Sequence, residues 1–292
     1  MAATWILTDS TYLAQRMPSA VLDWLEAHGC SARVVVADQG AVLTSLAPLA
    51  GPGDLSAWPG LAPGDVVLPR SRHPFALALL KEAEVRGATS VNPWTAVMKV
   101  RNKARGTLAL ARRGIPVPPT FLAHRPGDLA AIDGRFFPLV LKPYLGDNAR
   151  GIVIVTHPDQ LAALEWADVM VLAQPFLDVG GTDLKLYVVE GDVWATLRTS
   201  PLQPDQSVPV TADVTPELRN LALACGEAFG LRVFGVDVLQ TGRGPIVVDV
   251  NDFPNYTGVE EATAAIGSLL LSESATAAGL RSEPTTVAAA ER

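Results

Sequence analysis

Up to Gly87 the sequence repeats one pattern, a short β-branched run followed by an amphipathic stretch, and few folds tolerate that alternation. A short apolar run makes one buried strand and a 3.6-residue period makes a helix with one apolar face, so strands and helices take turns and the strands run parallel. Trp5 to Thr8 reads as the first strand. Ser19 to His28 follows as a helix with Val21, Leu22, Trp24 and Leu25 on one face, stopped by Gly29, and Arg33 to Ala37 as the second strand. Val66 to Leu68 is a third strand, and Phe75 to Arg86 a helix closed by Gly87. The unit is wound like a small nucleotide-type fold but lacks a GxGxxG turn.

A boundary near Asn92 to Trp94 separates this unit from a different pattern. Met98 to Arg113 reads as one long helix ending at Gly114, and Ile115 to Pro119 as a stiff extended connector. Leu139 to Lys142, Gly151 to Thr156, Asp159 to Ala167 and Val169 to Ala173 then predict strand, strand, helix and strand, with a glycine loop between the first two. Leu184 to Glu190 and Val193 to Arg198 flank Gly191 and Asp192 as a hairpin. Thr215 and Pro216 start a helix that stops at Gly230. A second hairpin joins Val233 to Leu239 with Pro245 to Val250, and the tail from Ser272 reads as a frayed helix or disorder.

Composition narrows the function. Of 292 residues, 49% are hydrophobic, which excludes wholesale disorder, yet no run reaches the roughly 18 to 20 uninterrupted apolar residues of a spanning helix. A net charge of −7 argues against nucleic acid or an anionic membrane as the main partner. Two cysteines, Cys30 and Cys225, give neither a disulfide framework nor metal-ligand spacing, and the start has no export-signal pattern, so a cytoplasmic protein is expected.

Lysine is scarce: Lys81, Lys99, Lys103, Lys142 and Lys185 stand among twenty-three basic residues. Lys142 ends an apolar strand and is followed by Gly146, Asp147, Asn148, Ala149, Arg150 and Gly151, a lysine beside a loop whose backbone N–H groups can approach a polyphosphate. The alternative is a hairpin turn with a solvated lysine. Asp237 lies inside the apolar run Val233 to Leu239, while Asp249 and Asn251 alternate in VVDVN and so share a face. If the two strands pair, Asp237 joins them, giving two carboxylates and an amide oxygen, a hard set suited to Mg²⁺ rather than zinc. The alternative is a capped turn with solvent-facing acids, although buried carboxylates without a cation are costly.

Together these residues resemble a family. Lys103 in RNKARGTLALARRGIPVP, Lys142 in LVLKPYLGDNARGIVI, the segment VLAQPFLDVGGTDLKLYVVEGDVWATLR, and FGVDVL followed by VVDVNDFPNYTGVE look, in order and spacing, like the ATP-grasp fold over roughly residues 92 to 267. The chain is most similar to the branch holding the ribosomal-protein glutamate ligases, and also resembles inositol trisphosphate kinases. The resemblance implies an α/β (α+β) architecture: an N-terminal doubly wound parallel-sheet domain over 1–93, a small central lid subdomain over 94–173, and a C-terminal antiparallel-sheet subdomain over 174–271, with a flexible tail over 272–292. It implies ATP and two Mg²⁺ ions, with Mn²⁺ as a substitute, held by Asp237, Asp249 and Asn251. Lys103 and Lys142 look like the two phosphate lysines, and Gly146 to Gly151 like the closing loop. Gln174, Pro175, Phe176 and Leu177 resemble the linker that receives adenine, with Asp178 or Asp183 at the ribose. Relatives often carry Glu where Pro175 stands, so the adenine contacts here rest on other backbone groups. Lys185 and Arg198 resemble the cations that stabilise the transferred phosphoryl group, with exposed strand charge as the alternative.

For the substrate, Arg70, Arg72 and His73 follow the third strand, at the edge where doubly wound sheets bind ligands, and an arginine pair there suits a carboxylate or phosphate. A solvated loop is the other reading. In the closing motif, Asn255 and Gly258 are assigned with Arg198 to the substrate. The connection TSPLQPDQSVPVTADVTP, residues 199–216, has no Lys or Arg, which favours an acceptor less anionic than a polyphosphorylated inositol. No GxSxG, HExxH or local Cys–His pattern supplies an enzyme nucleophile. The resemblance implies an ATP-dependent carboxylate–amine ligase acting on an amino acid or small peptide through an acylphosphate, a reaction that needs no such nucleophile. A small-molecule kinase and a non-catalytic nucleotide-binding module are the alternatives. A homodimer is the assembly that the general frequency of twofold oligomers suggests.

Overall fold

The computed structural model describes residues 2–39, 44, 57–145, 150–200, 202 and 208–282. In chain order its elements begin with β1 (Thr4–Thr8), α1 (Ser10–Leu13), α2 (Arg16–Ala27), β2 (Ala32–Val36), β3 (Val66–Arg70), α3 (Pro74–Val85) and β4 (Thr89–Ser90). Next come α4 (Trp94–Arg101), α5 (Lys103–Ala111), β5 (Phe121–Ala123), β6 (Leu139–Pro143), β7 (Val153–Val155) and β8 (Val171–Pro175). The last are β9 (Thr182–Val189), β10 (Asp192–Thr199), β11 (Val210–Ala212), α6 (Pro216–Phe229), β12 (Val233–Thr241), β13 (Gly244–Asn251) and α7 (Glu261–Ser282). They form two compact units, Met1–Trp94 with Glu260–Arg292, and Thr95–Val259.

The first unit is built on a parallel sheet in the order β2-β1-β3-β4. All five residues of β1 and of β3 are buried, as expected of central parallel strands covered on both faces. Trp5 is anchored at its polar end, where Nε1 donates to Asp65 Oδ2 at 3.0 Å, and Trp58 meets its ring edge-on. The division inferred from sequence differs at the carboxyl end. Residues 260–271 group with this unit rather than with the C-terminal subdomain, and α7 runs on through residues 272–282, the start of the stretch read as frayed helix or disorder. Helix α7 packs on α2 because Gly267 leaves room for the indole of Trp24, and Ser274 hydrogen-bonds Thr4 across the unit.

The second unit carries two antiparallel sheets, β5-β8-β6-β7 and β11-β10-β9-β12-β13. Leu139, Leu141, Val155, Leu161, Val171 and Ala173 fill the core of the smaller sheet. Helix α6 covers the larger one with Leu218, Leu221, Ala222, Cys225 and Phe229, a stripe at helical spacing. Its ends are set by chemistry visible in the sequence: the Thr215 side chain accepts from Leu218 N–H, Pro216 opens the first turn, and Gly230 closes the helix at φ +79°.

Two helices differ from expectation. Met98 to Arg113 is not continuous, because Asn102 leaves helical geometry and its side chain caps α5 by accepting from Arg105 N–H. Asp159 to Ala167 forms only a short turn over Pro158–Gln160. There the Gln160 side chain takes the N–H groups of Thr156 and His157, and the Trp166 indole donates to Met170 O, so side chains satisfy backbone groups that a helix would have paired.

A methyl group on Gly267 would lie 2.1 Å from Trp24 Cε3. Overpacking of this kind costs about 1–3 kcal/mol, more than the roughly 1 kcal/mol that Ala gains over Gly in a helix. Gly267→Ala is therefore expected to lower the urea midpoint of the first unit, and an unchanged or raised midpoint would contradict the packing of α7 on α2.

Candidate active site

The β12–β13 hairpin sets the site. Asp237 pairs with Asp249 and Gly235 with Asn251, and the register then shifts so that Val238 faces Val247. The extra residue, Val248, makes a β-bulge, and its carbonyl is left pointing to Lys142 Nζ at 3.4 Å. Asn251 Nδ2 donates to Asp237 Oδ2 at 3.1 Å, so two carboxylates and one amide converge.

Two neighbouring strands bring cations to Asp237. Lys185 on β9 stands beside it in register, with Nζ 2.8 Å from Oδ1, and Arg198 on β10 donates through Nη2 to the same oxygen at 2.6 Å. Burial alone would raise the Asp237 pKa, but these two charges hold it below the usual carboxylate value. The room for Lys185 comes from Gly235, where a Cβ would lie 2.9 Å from Lys185 Cε and 3.0 Å from Pro254 Cγ.

Lys103, the first residue of α5, reaches across to Asp249 with Nζ 2.6 Å from Oδ2, while its own N–H donates to Tyr144 O. Lys142 lies on the smaller sheet, and its ammonium donates to Gln174 Oε1 at 2.7 Å; Gln174 Nε2 in turn donates to Thr120 Oγ1 at 3.0 Å. Burial pushes Lys142 down from 10.5 to about 8, against the pull of Asp249. Lys103, Lys142, Gln174 and Asp249 border a narrow cleft whose other walls include Leu172, Phe229 and Val247. Lys103, Lys142, Lys185 and Arg198 outnumber the carboxylates Asp183, Asp237 and Asp249, an excess of positive charge that suits a polyphosphate.

The donor set also fits a hard cation. Among the described residues no group of three His, Cys, Asp or Glu is placed to hold a metal; beside Asp237 and Asp249 stands the Asn251 amide, which meets Asp237 through its nitrogen. Carboxylate and amide oxygens suit Mg²⁺.

The other expected residues fall in several places. Gly146, Asp147, Asn148 and Ala149 lie outside the described residues; Arg150 is exposed, and Gly151 turns at φ +73° against Pro143. In the linker, Gln174 is buried and its side chain serves Lys142, Pro175 ends β8 without an N–H, and Phe176 N–H is spent on Pro138 O. Leu177 is half-buried. Asp178 is exposed in a tight turn that accepts from Gly180 N–H, whereas Asp183 is buried opposite Arg198, its pKa raised by burial and by the charge of Asp237. Asn255 is half-buried, and Gly258, at φ +81°, packs its Cα side toward Thr196.

In the first unit, Arg70 ends β3 with its guanidinium 4.2 Å over the Tyr12 ring and Nη2 donating to Gln15 Oε1. His73 is the N-cap of α3, accepting from Phe75 N–H, and Arg72 between them is half-buried. Sequence reasoning missed Gly235 and Thr120. A glycine in mid-strand beside a buried lysine was the available signal for the first, and a threonine whose partner lies 54 positions away offered none for the second.

A family model described as a RimK-like ATP-grasp domain matches residues 100–268. The chain is 31% identical over 217 residues, 68% of its length and 72% of the relative's, to a protein of Alcanivorax borkumensis named probable alpha-L-glutamate ligase. Its fold is similar to that of a RimK domain ATP-grasp protein from Sphaerobacter thermophilus, with TM-score 0.73 and 20% identity, covering 93% of this chain and 99% of that one. It is also similar to the ATP-grasp ligase PsnB complexed with a minimal precursor, Mg and ADP, with TM-score 0.69 and 17% identity, covering 93% and 97%. The chain belongs to the RimK-like ATP-grasp family. It is a ligase of the carbon–nitrogen bond-forming, ADP-forming class. Among the described residues no helix is long and apolar enough to cross a membrane.

Two predictions follow from the geometry. Gly235→Ala is expected to displace Lys185 from Asp237 and to weaken ATP binding by roughly tenfold in calorimetry without unfolding the protein; unchanged affinity would show that Lys185 tolerates the methyl group. The second concerns pH. Free Lys142 keeps its proton to about 10.5 and the folded one only to about 8, so nucleotide affinity is expected to fall between pH 7 and 9, with no such fall for Lys142→Met. The same shift makes stability rise with pH between those two values, because the unfolded chain binds the extra proton there.

Proposed function

We propose that the protein is an ATP- and Mg²⁺-dependent ligase that joins the carboxylate of an amino acid or small peptide to an amine through an acylphosphate. The observation that carries this reading is the meeting of cations with the carboxylates of the β12–β13 hairpin: Lys103 on Asp249, Lys185 and Arg198 on Asp237, with Lys142 beside Lys103 and Asp249 in the cleft. The site has charge to hold and stabilise phosphates. Cys225, the cysteine of this unit, is buried and its thiol is pushed up to about 12. The glutamate-ligase name of the relative and the precursor bound to PsnB support an amino-acid or peptide acceptor.

In the proposed reaction a carboxylate oxygen of the substrate attacks the γ-phosphorus of ATP and the bond to ADP breaks. The amine then attacks the acyl carbon, loses a proton, and orthophosphate leaves. Lys103 and Lys142 hold the phosphates of the nucleotide, and Lys185 and Arg198 face the phosphoryl group in transfer, where fixed positive charge lowers the barrier most. Asp237, Asp249 and the Asn251 amide would hold Mg²⁺, two ions in this reading with Mn²⁺ as a substitute, and so bound it would supply positive charge against the phosphate oxygens. Within the first unit, Arg70, Arg72 and His73 are proposed as substrate-binding residues.

The test is ³¹P NMR with ATP, Mg²⁺ and two separate acceptor pools, amino acids with short peptides, and inositol phosphates. ADP and orthophosphate are expected with the first pool only, with a new amide by mass spectrometry. Asp249→Asn is expected to lower that turnover by roughly 100-fold or more with the fold intact. A phosphate ester formed from the second pool would make the protein a kinase, binding without turnover would make it a regulatory module, and full activity of Asp249→Asn would remove the metal assignment.

A further inference from the structure

One buried ion pair of the second unit has no part in the reaction as proposed. Arg101, the last residue of α4, grips Asp252, the residue after β13: Nε lies 3.2 Å from both carboxylate oxygens and Nη2 2.6 Å from Oδ2. The two side chains are only 10% and 5% exposed. A guanidinium and a carboxylate meeting through several N–H groups fix distance and angle together, which a lysine cannot do.

The place of this pair in the chain gives it meaning. Arg101 is followed by Asn102, which breaks the helix and caps α5, and then by Lys103, whose ammonium holds Asp249. Asp252 follows Asn251 directly. The pair thus ties the helix break that aims the phosphate lysine to the strand end that carries the amide donor, and it runs beside the Lys103–Asp249 pair. On the proposed reading Lys103 must give up Asp249 when phosphates and metal arrive. Arg101 and Asp252 are not among the residues assigned to phosphate or metal, and their ion pair joins the two segments that carry Lys103 and Asn251.

We infer that Arg101 and Asp252 are positioning residues for nucleotide and metal: through their ion pair they set Lys103 and Asn251 in the geometry that binds Mg²⁺ and nucleotide together. This rests on the metal assignment made above. Neither residue touches the reacting atoms in this account, and each acts through its neighbour.

The experiment is calorimetric titration of the full chain with ADP in Mg²⁺ and in EDTA, for wild type, Arg101→Lys, Asp252→Asn, the double variant and Asp249→Asn, with circular dichroism as the check of folding. Each single variant is expected to fold and to bind ADP in Mg²⁺ about tenfold more weakly. The double variant is expected to be no weaker than the worse single, because the two residues act as one unit. Folded variants with wild-type affinity for ADP in Mg²⁺ would overturn the inference. So would failure of both single variants to fold, which would make the pair part of the scaffold alone. If instead Asp249→Asn leaves the difference between Mg²⁺ and EDTA unchanged, the metal assignment itself fails, a result distinct from either of these.

Discussion

A carboxylate in the middle of a buried strand is tolerated only when its charge is met, and in this protein that condition falls on Asp237. Lys185 and Arg198 supply the countercharge from two successive strands, so the register of β9, β10 and β12 and the electrostatics of the cleft are one constraint. A side chain at position 235 would force Lys185 and Pro254 to shift, since a Cβ there would lie 2.9 Å from Lys185 Cε and 3.0 Å from Pro254 Cγ. Backbone, steric gap and charge therefore depend on one another, and a change to one is felt by all three.

The same arrangement has a consequence for binding. Every carboxylate proposed to hold the metal is held here by a cation proposed to hold phosphate: Asp249 by Lys103, and Asp237 by Lys185 and Arg198. On that reading metal alone would have to displace an ammonium from each acid, and nucleotide alone would leave the acids bare. Arriving together, they trade partners without leaving a buried charge unmet, so each makes the site better for the other by the same factor.

Much of this was legible in the sequence where a local rule applied. The alternation of short apolar runs and helical stripes gave the parallel sheet of the first unit, and Thr215, Pro216 and Gly230 marked both ends of α6. Period two placed Asp249 and Asn251 on one face, and the hairpin brings Asp237 to them. What escaped were choices made between distant residues. Nothing in VVDVN announces the bulge at Val248, and Gln174, read as part of a linker, turns its side chain inward to Lys142 and Thr120. Asn102 is the exception, because an asparagine before a run of good helix formers is a cap signal that the amphipathic pattern around it concealed. The Asp159 to Ala167 stretch erred the other way, its pattern sufficing for a helix in sequence while the side chains of Gln160 and Trp166 made local bonds instead.

The placement of α7 bears on how the polypeptide comes into being. The first unit takes its elements from both ends of the described chain, with the whole of the second unit spliced between them. During synthesis the sheet of β1 to β4 leaves the ribosome long before the helix that covers α2, and the site-bearing unit is complete in the interval. Domains generally fold as they emerge, so here the interior of the sequence can settle first, while the amino-terminal elements wait for α7, the helix that packs on α2 at Trp24. For this chain, the order of translation and the order of completion run in opposite senses.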